Sequence, residues 1–328
     1  MVTTFRPRMG ASRTSCSFSL TVFMPRIESL ERTSVSIHLP VDGSIYSSAA
    51  DQVLMDSVFP AADRLLAEDS SASYFFVRYL DPSGPHIRFR IRSAANSPID
   101  TTSVLGLLNQ YGGARTSHRP ILAVPYEAET ERYGGFECMD AAEQFFALSS
   151  YFVRCQLVNI ASSSRGARRS CALVAMLRFA LSCTRDIGEA ARLLDHYVAS
   201  LGGHGSETFA AGGPVEQATR RRVGDLAIAQ IKIADADSSA PAFLCVREFG
   251  AASHQYARDL EAKVAIRNAS ANRELIPKLQ RSILCSQLHM TSNRFGITRQ
   301  EESFLGSIGS LALADTGSTG LARSRAVI

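Results

Sequence analysis

A chain of 328 residues with 45% apolar side chains carries enough greasy surface for one large core without staples. Its formal charge of +4 sits at the ends: residues 1–30 hold four Arg against one Glu, and residues 306–328 hold two Arg against Asp315. The near-neutral body excludes broad nucleic-acid binding, which needs a basic face to displace counterions.

The first thirty residues are rich in Ser, Thr and Arg, with one short apolar run at residues 18–24. That run is too brief for a secretory signal or a membrane helix, so the segment reads as a flexible extension of a cytoplasmic protein. The seven cysteines include no Cys-x-x-Cys pair and read as buried thiols of a reducing compartment. Residues 35–39 form a short strand, and residues 49–67 repeat apolar side chains every third or fourth position, as a helix facing a core does.

The period then changes to two. Residues 74–79 and 86–92 flank Asp81-Pro82-Ser83-Gly84-Pro85 and predict two strands joined by a long-looped hairpin. Alternation puts Ile87, Phe89 and Ile91 on a core face, and His86, Arg88, Arg90 and Arg92 on the other. Residues 103–110 predict a helix, residues 121–125 a strand, and residues 138–161, 170–183, 187–201 and 253–268 further helices. Loops are expected at 162–167 and, from glycine content, at 204–219. Pro277 opens what reads as the final helix, since a first turn needs no proline N–H. The sum is a single α+β domain over residues 31–314, mainly antiparallel β-sheet with packed helices, followed by a disordered tail at 315–328.

Three places carry more than core-building needs. Four neighbouring cations on one strand face repel each other, which points to an anionic partner, and a guanidinium grips a carboxylate with two parallel hydrogen bonds. A solvated strand face is the plainer reading of the same row. Glu129 and Arg132 sit three apart, a spacing that also makes an ordinary surface ion pair. The following Gly134-Gly135 permits a tight turn and close approach of backbone to a ligand. On the helix after Pro277, Ser282, Ser286, His289 and Asn293 fall along one face, leaving the imidazole room to meet a ligand. A histidine bonded to Asn293 at a helix surface fits that spacing equally well. No phosphate loop, nucleophile elbow or clustered His/Cys set is present.

His86-Ile87-Arg88-Phe89-Arg90, then Tyr126 to Gly135, then His289-Met290-Thr291-Ser292-Asn293-Arg294 resemble, in order and spacing, the C-terminal elimination domain of class I lantibiotic dehydratases. That domain also occurs as a stand-alone protein in thiopeptide-type bacteriocin pathways. The resemblance implies a carbon–oxygen lyase that removes glutamate from glutamylated Ser or Thr of a precursor peptide, leaving dehydroalanine or dehydrobutyrine. It places catalysis on Arg90, Arg132, His289 and Glu129, and substrate binding on Arg88, Tyr133 and Asn293. It implies no cofactor or metal, and a separate glutamyl-tRNA-dependent partner that glutamylates the peptide. Two rivals stand beside it. One is the related thiopeptide enzyme that joins two dehydroalanines into a pyridine by [4+2] cycloaddition. The other is a non-catalytic leader-peptide-binding subunit, which would expect an exposed sheet edge.

Overall fold

Strand alternation decides the architecture. In the computed structural model, which describes residues 32–94, 99–112, 117–160, 164–202, 214–236, 240–267 and 275–318, four antiparallel strands lie in the order β2-β3-β1-β4. They are β1 (Arg32–Pro40), β2 (Ser73–Asp81), β3 (Gly84–Ala94) and β4 (Leu122–Val124). Ile37 pairs with Phe89 and Phe89 with Phe76, so these three fully buried side chains share one face. Ser36, Arg90 and Phe75 share the other. The hairpin is tighter than its sequence suggests. Asp81 and Gly84 are still paired, and the Asp81 carboxylate accepts from both the backbone N–H and the hydroxyl of Ser83, which closes a turn that proline content makes look longer.

The apolar face is covered by α1 (Ser48–Val53), a π-helical turn (Leu54–Val58), α2 (Phe59–Glu68) and α3 (Thr101–Gly112); Phe59 meets Phe76 edge-on at 5.7 Å. The remaining helices are α4 (Phe136–Asn159), α5 (Arg165–Cys183), α6 (Ile187–Ser200), α7 (Pro214–Asp235), α8 (Pro241–Arg267), α9 (Leu275–Phe295) and α10 (Arg299–Ser318). Stacked rings join α4 to α8, with Phe152 on Phe249 at 4.3 Å and Phe145 on Tyr256 at 4.8 Å. Each such buried ring stabilises by about 1.5–3 kcal/mol over leaving it in water.

Several expected boundaries move. Helix α5 begins inside the expected 162–167 loop, because Ser164 caps it by accepting from the Ala167 N–H. Helix α7 starts at Pro214, within the expected 204–219 loop. Its buried stripe of Ala227, Ile231 and Ala234 is mostly small side chains, which weakens the periodic signal. Helix α9 is not the last: α10 succeeds it and continues to Ser318, into the stretch expected to be tail. The extension at residues 1–30 lies outside the described residues.

The join between α9 and the sheet positions the imidazole of His289. Strand β2 lies at a sheet edge, where unpaired backbone groups would otherwise be open to water or to another strand. Asn293 accepts from the Arg78 N–H at 3.0 Å and donates to the Arg78 carbonyl at 2.9 Å. Arg294 Nε donates to the Phe76 carbonyl at 2.9 Å, and the Ser150 hydroxyl of α4 accepts from the Phe76 N–H at 3.2 Å. Helix side chains thus act as the missing strand. Arg78 itself is sealed, donating to the carbonyls of Ile45 and Arg294 and pairing at 2.6 Å with Asp51, which Arg168 also grips. Burial pushes the Asp51 carboxyl up, but Arg78 and Arg168 pull it down further, so it stays ionised below the usual carboxylate range. Replacing Asp51 with Ala strands two buried guanidinium groups and should cost about 3–5 kcal/mol in urea unfolding; a loss below about 1 kcal/mol would mean that the pairing is not what secures the join.

Candidate active site

Of the strand-β3 cations, most are already spoken for. Arg92 pairs with Asp140 at 2.9 Å and Glu143 at 2.8 Å. Arg88 reaches Asp81 at 3.3 Å, donates to His86 Nε2 at 3.2 Å and lies 3.3 Å over the Tyr79 ring. The charge and flat face of Arg88, expected to meet substrate, are both engaged within the hairpin. Arg90 differs. Its guanidinium sits between the rings of Tyr126, at 4.7 Å, and Phe75, at 5.6 Å. Among the described residues no carboxylate pairs with it, and its Nε is buried without a partner. Burial lowers its pKa below the ordinary arginine value, though a guanidinium stays charged. A desolvated, unpaired fork is a strong anion receptor. The Tyr126 ring is fixed in turn by its hydroxyl, which donates to Glu143.

The segment after β4 turns back across this face. Residues Thr130–Tyr133 make one 3-10 turn, and Gly134 and Gly135 come next at φ 92° and 97° before α4 begins. A side chain at Gly134 would meet Ile283 Cδ1 at 2.8 Å, so glycine is what lets the turn press against α9. Glu129 and Arg132 form a 3.0 Å ion pair that remains partly exposed. Burial pulls the Arg132 pKa down, but Tyr133 and Glu129 more than offset it and raise it overall. Tyr133 is only 2% exposed, its ring set edge-on to Phe146 at 4.8 Å.

Helix α9 supplies the imidazole. His289 is not held by Asn293, whose amide, expected to meet substrate, straps the β2 backbone at Arg78. Instead His289 Nδ1 lies 2.9 Å from Oε2 of Glu302 on α10, and the Tyr197 hydroxyl donates to the same oxygen at 2.7 Å. Glu302 is 1% exposed. Sequence reasoning missed it because an acidic residue in the first turn of a helix is ordinarily a dipole partner. A carboxylate accepting the Nδ1 proton leaves Nε2 with its lone pair free.

These groups share one electrostatic neighbourhood. Glu129 acts on Arg90, Glu302 acts on Arg132, and Tyr133 is within reach of Arg90, Arg132, Glu129 and Arg294. The arrangement offers a free fork, a second fork on a movable carboxylate, and an oriented imidazole, which suits binding an anion beside a proton to be moved.

The profile described as lantibiotic biosynthesis dehydratase C-term matches residues 44–311. Nisin biosynthesis protein NisB of Lactococcus lactis subsp. lactis is 31% identical over 97 residues, covering 30% of this chain and 9% of that protein. Subtilin biosynthesis protein SpaB of Bacillus subtilis is 31% identical over 140 residues, covering 36% of this chain and 13% of that protein. The matched regions are thus a small part of these relatives. Among solved structures, the tRNA-dependent lantibiotic dehydratase MibB from Microbispora sp. 107891 superposes at TM-score 0.60 and 19% identity, over 90% of this chain and 29% of that one. The pyridine synthase TbtD from thiomuracin biosynthesis superposes at 0.53 and 17% identity, over 88% of this chain and all of that one. At those identities the likeness speaks for the fold.

If Arg90 is the anion receptor, saturating L-glutamate should raise the thermal midpoint by mass action. Arg88→Ala should keep that shift and Arg90→Ala should abolish it; an equal shift in both variants would place the anion elsewhere.

Proposed function

Because this chain belongs to the lantibiotic biosynthesis dehydratase C-terminal family, we propose that it is a carbon–oxygen lyase acting on a glutamylated precursor peptide. It removes glutamate from esterified Ser or Thr to leave dehydroalanine or dehydrobutyrine. What supports this reading is the half-buried Arg90 without a carboxylate partner, together with the Glu129–Arg132 pair and the Glu302-held His289.

The chemistry follows from those groups. The alpha proton of the esterified residue is weakly acidic, and its removal builds charge on the neighbouring amide oxygen. His289 Nε2 takes that proton, with Glu302 steadying the imidazolium as it forms. The freed electron pair closes the Cα=Cβ double bond, and the Cβ–O bond breaks with its pair on the departing glutamate. Arg90 and Arg132 hold the glutamyl carboxylates, the ester end included, so that the leaving anion is paired as it is born. Glu129 balances the glutamyl ammonium and orients Arg132. Glutamylation itself belongs to a partner protein that uses glutamyl-tRNA.

The second reading, pyridine formation by cycloaddition, has one observation in its favour: the likeness spans the whole of the pyridine synthase TbtD. That reaction need not grip glutamate, however, and leaves the Arg90, Glu129 and Arg132 set without a task. A leader-binding subunit working by strand addition would find the β2 edge already closed by Ser150, Asn293 and Arg294.

The test is to incubate purified protein with glutamylated precursor and read the product masses. Wild type should shed glutamate at every site, whereas Arg90→Ala, Arg132→Ala and His289→Ala should leave the heavier glutamylated peptide. Arg132→Lys should also fail, since a point charge cannot copy the fork. Glu302→Gln should slow turnover by about 10²-fold or more through a misheld imidazole. Complete dehydration by the His289→Ala protein would remove that residue from the mechanism, and ring formation with leader release would favour the rival.

A further inference from the structure

One buried charge has no part in that elimination. Arg294 is 0% exposed, and while its Nε donates to Phe76, both terminal nitrogens lack any partner. Its guanidinium lies 5.3 Å over the Phe146 ring, the same ring that Tyr133 meets edge-on. No carboxylate among the described residues pairs with it. Burial drives its pKa down to about 9, so it is still a cation at neutral pH. An uncompensated charge sealed from water is costly to the free protein and survives where a negative charge develops within its reach.

The group that links this cation to the site is Tyr133. Its hydroxyl has no hydrogen-bond partner among the described residues and is not one of the sealed, orphaned polar atoms, while its ring is fixed by Phe146. Arg132, Arg294 and Arg90 all act on the phenol, and burial dominates, pushing it up to about 12, so the proton is in place. A fixed O–H donor with Arg132 5.7 Å from its ring and Arg294 on the far side of a shared Phe146 contact has one use in an elimination: to meet an oxygen on which negative charge builds.

We propose that Tyr133 is a catalytic hydrogen-bond donor to the enolate oxygen of the residue being eliminated, and that Arg294 is the positioning residue behind it. This rests on the lyase reading. No proton leaves Tyr133: the alpha proton goes to His289, and the phenol only shares its hydrogen with the oxyanion until the double bond forms. Arg294 supports that bond through its fixed charge without touching substrate.

The experiment is a double-mutant cycle on glutamylated precursor peptide, with thermal midpoints measured alongside. Tyr133→Phe keeps the ring and should lower kcat by about 10²–10³-fold with KM within about threefold and the midpoint unchanged. Arg294→Met should also slow turnover; it removes the Phe76 strap together with an unpaired buried charge, so its role is read from turnover at a temperature where both variants are folded. In the Tyr133→Phe background, Arg294→Met should slow turnover no further. An unimpaired Tyr133→Phe enzyme overturns the proposal. So does an Arg294→Met change that slows the Tyr133→Phe background by its full factor, since that makes Arg294 a strap for Phe76 and nothing more. Wild-type protein that leaves the glutamylated peptide untouched sinks the lyase reading and this one together, whereas wild-type turnover with unimpaired Tyr133→Phe sinks this one alone.

Discussion

The stitching of helix α9 to the edge of strand β2 is the constraint from which the site follows. Asn293 and Arg294 answer the backbone groups of Phe76 and Arg78 that an edge strand leaves open, and by doing so they fix His289 one helical turn away from the sheet. The polar face of β3 carries Arg90 under Tyr126, at the start of the segment that turns back to the same helix. Gly134 is the other half of the closure, since only a residue without a side chain lets the Glu129–Arg132 turn lie against Ile283. Three stretches far apart in sequence meet because edge satisfaction and one tight turn leave them nowhere else to pack.

Charge then separates structure from function within that meeting place. Asp51 pairs with Arg78 and Arg168, Asp81 with Arg88, and Asp140 and Glu143 with Arg92. Each of these cations already has a carboxylate within the fold. Arg294, buried, and Arg90, half-buried with a sealed Nε, are left over without carboxylates. Proteins avoid such leftovers because desolvating a charge is expensive, so an uncompensated cation here is best understood as stored affinity for negative charge.

Helix α8 is legible only from residue 253 on and α10 is not expected at all, whereas the strands, their faces and helices α4, α5 and α6 are legible from period, because Ile87, Phe89 and Ile91 alternate cleanly and the α6 stripe is strong. Helix α7 is not, since its buried positions are mostly alanine. Helix α10, with Ile308, Ala312 and Leu313 buried along it, runs on to Ser318, four residues into the stretch expected to be tail. For the site, the positions of Arg90, Glu129, Arg132 and His289 can be marked in the sequence, but their partners cannot. Nothing local distinguishes Arg88 from Arg90, or Asn293 from a ligand-facing amide; the difference lies in Asp81 and in the β2 backbone, which only the fold brings near. Glu302 is hidden in the same way, as an acidic residue at a helix start.

The most direct measurement of the role given to Arg90 is a co-crystal structure with a precursor peptide whose glutamyl ester is replaced by a non-eliminating amide. A glutamyl carboxylate should lie bidentate on Arg90, with the alpha carbon facing His289 Nε2. An analogue seated instead in the apolar cleft of about 230 Å³ lined by Leu173, Val223, Phe304 and Ile308 between α5, α7 and α10, with Arg90 still bare, would contradict that role.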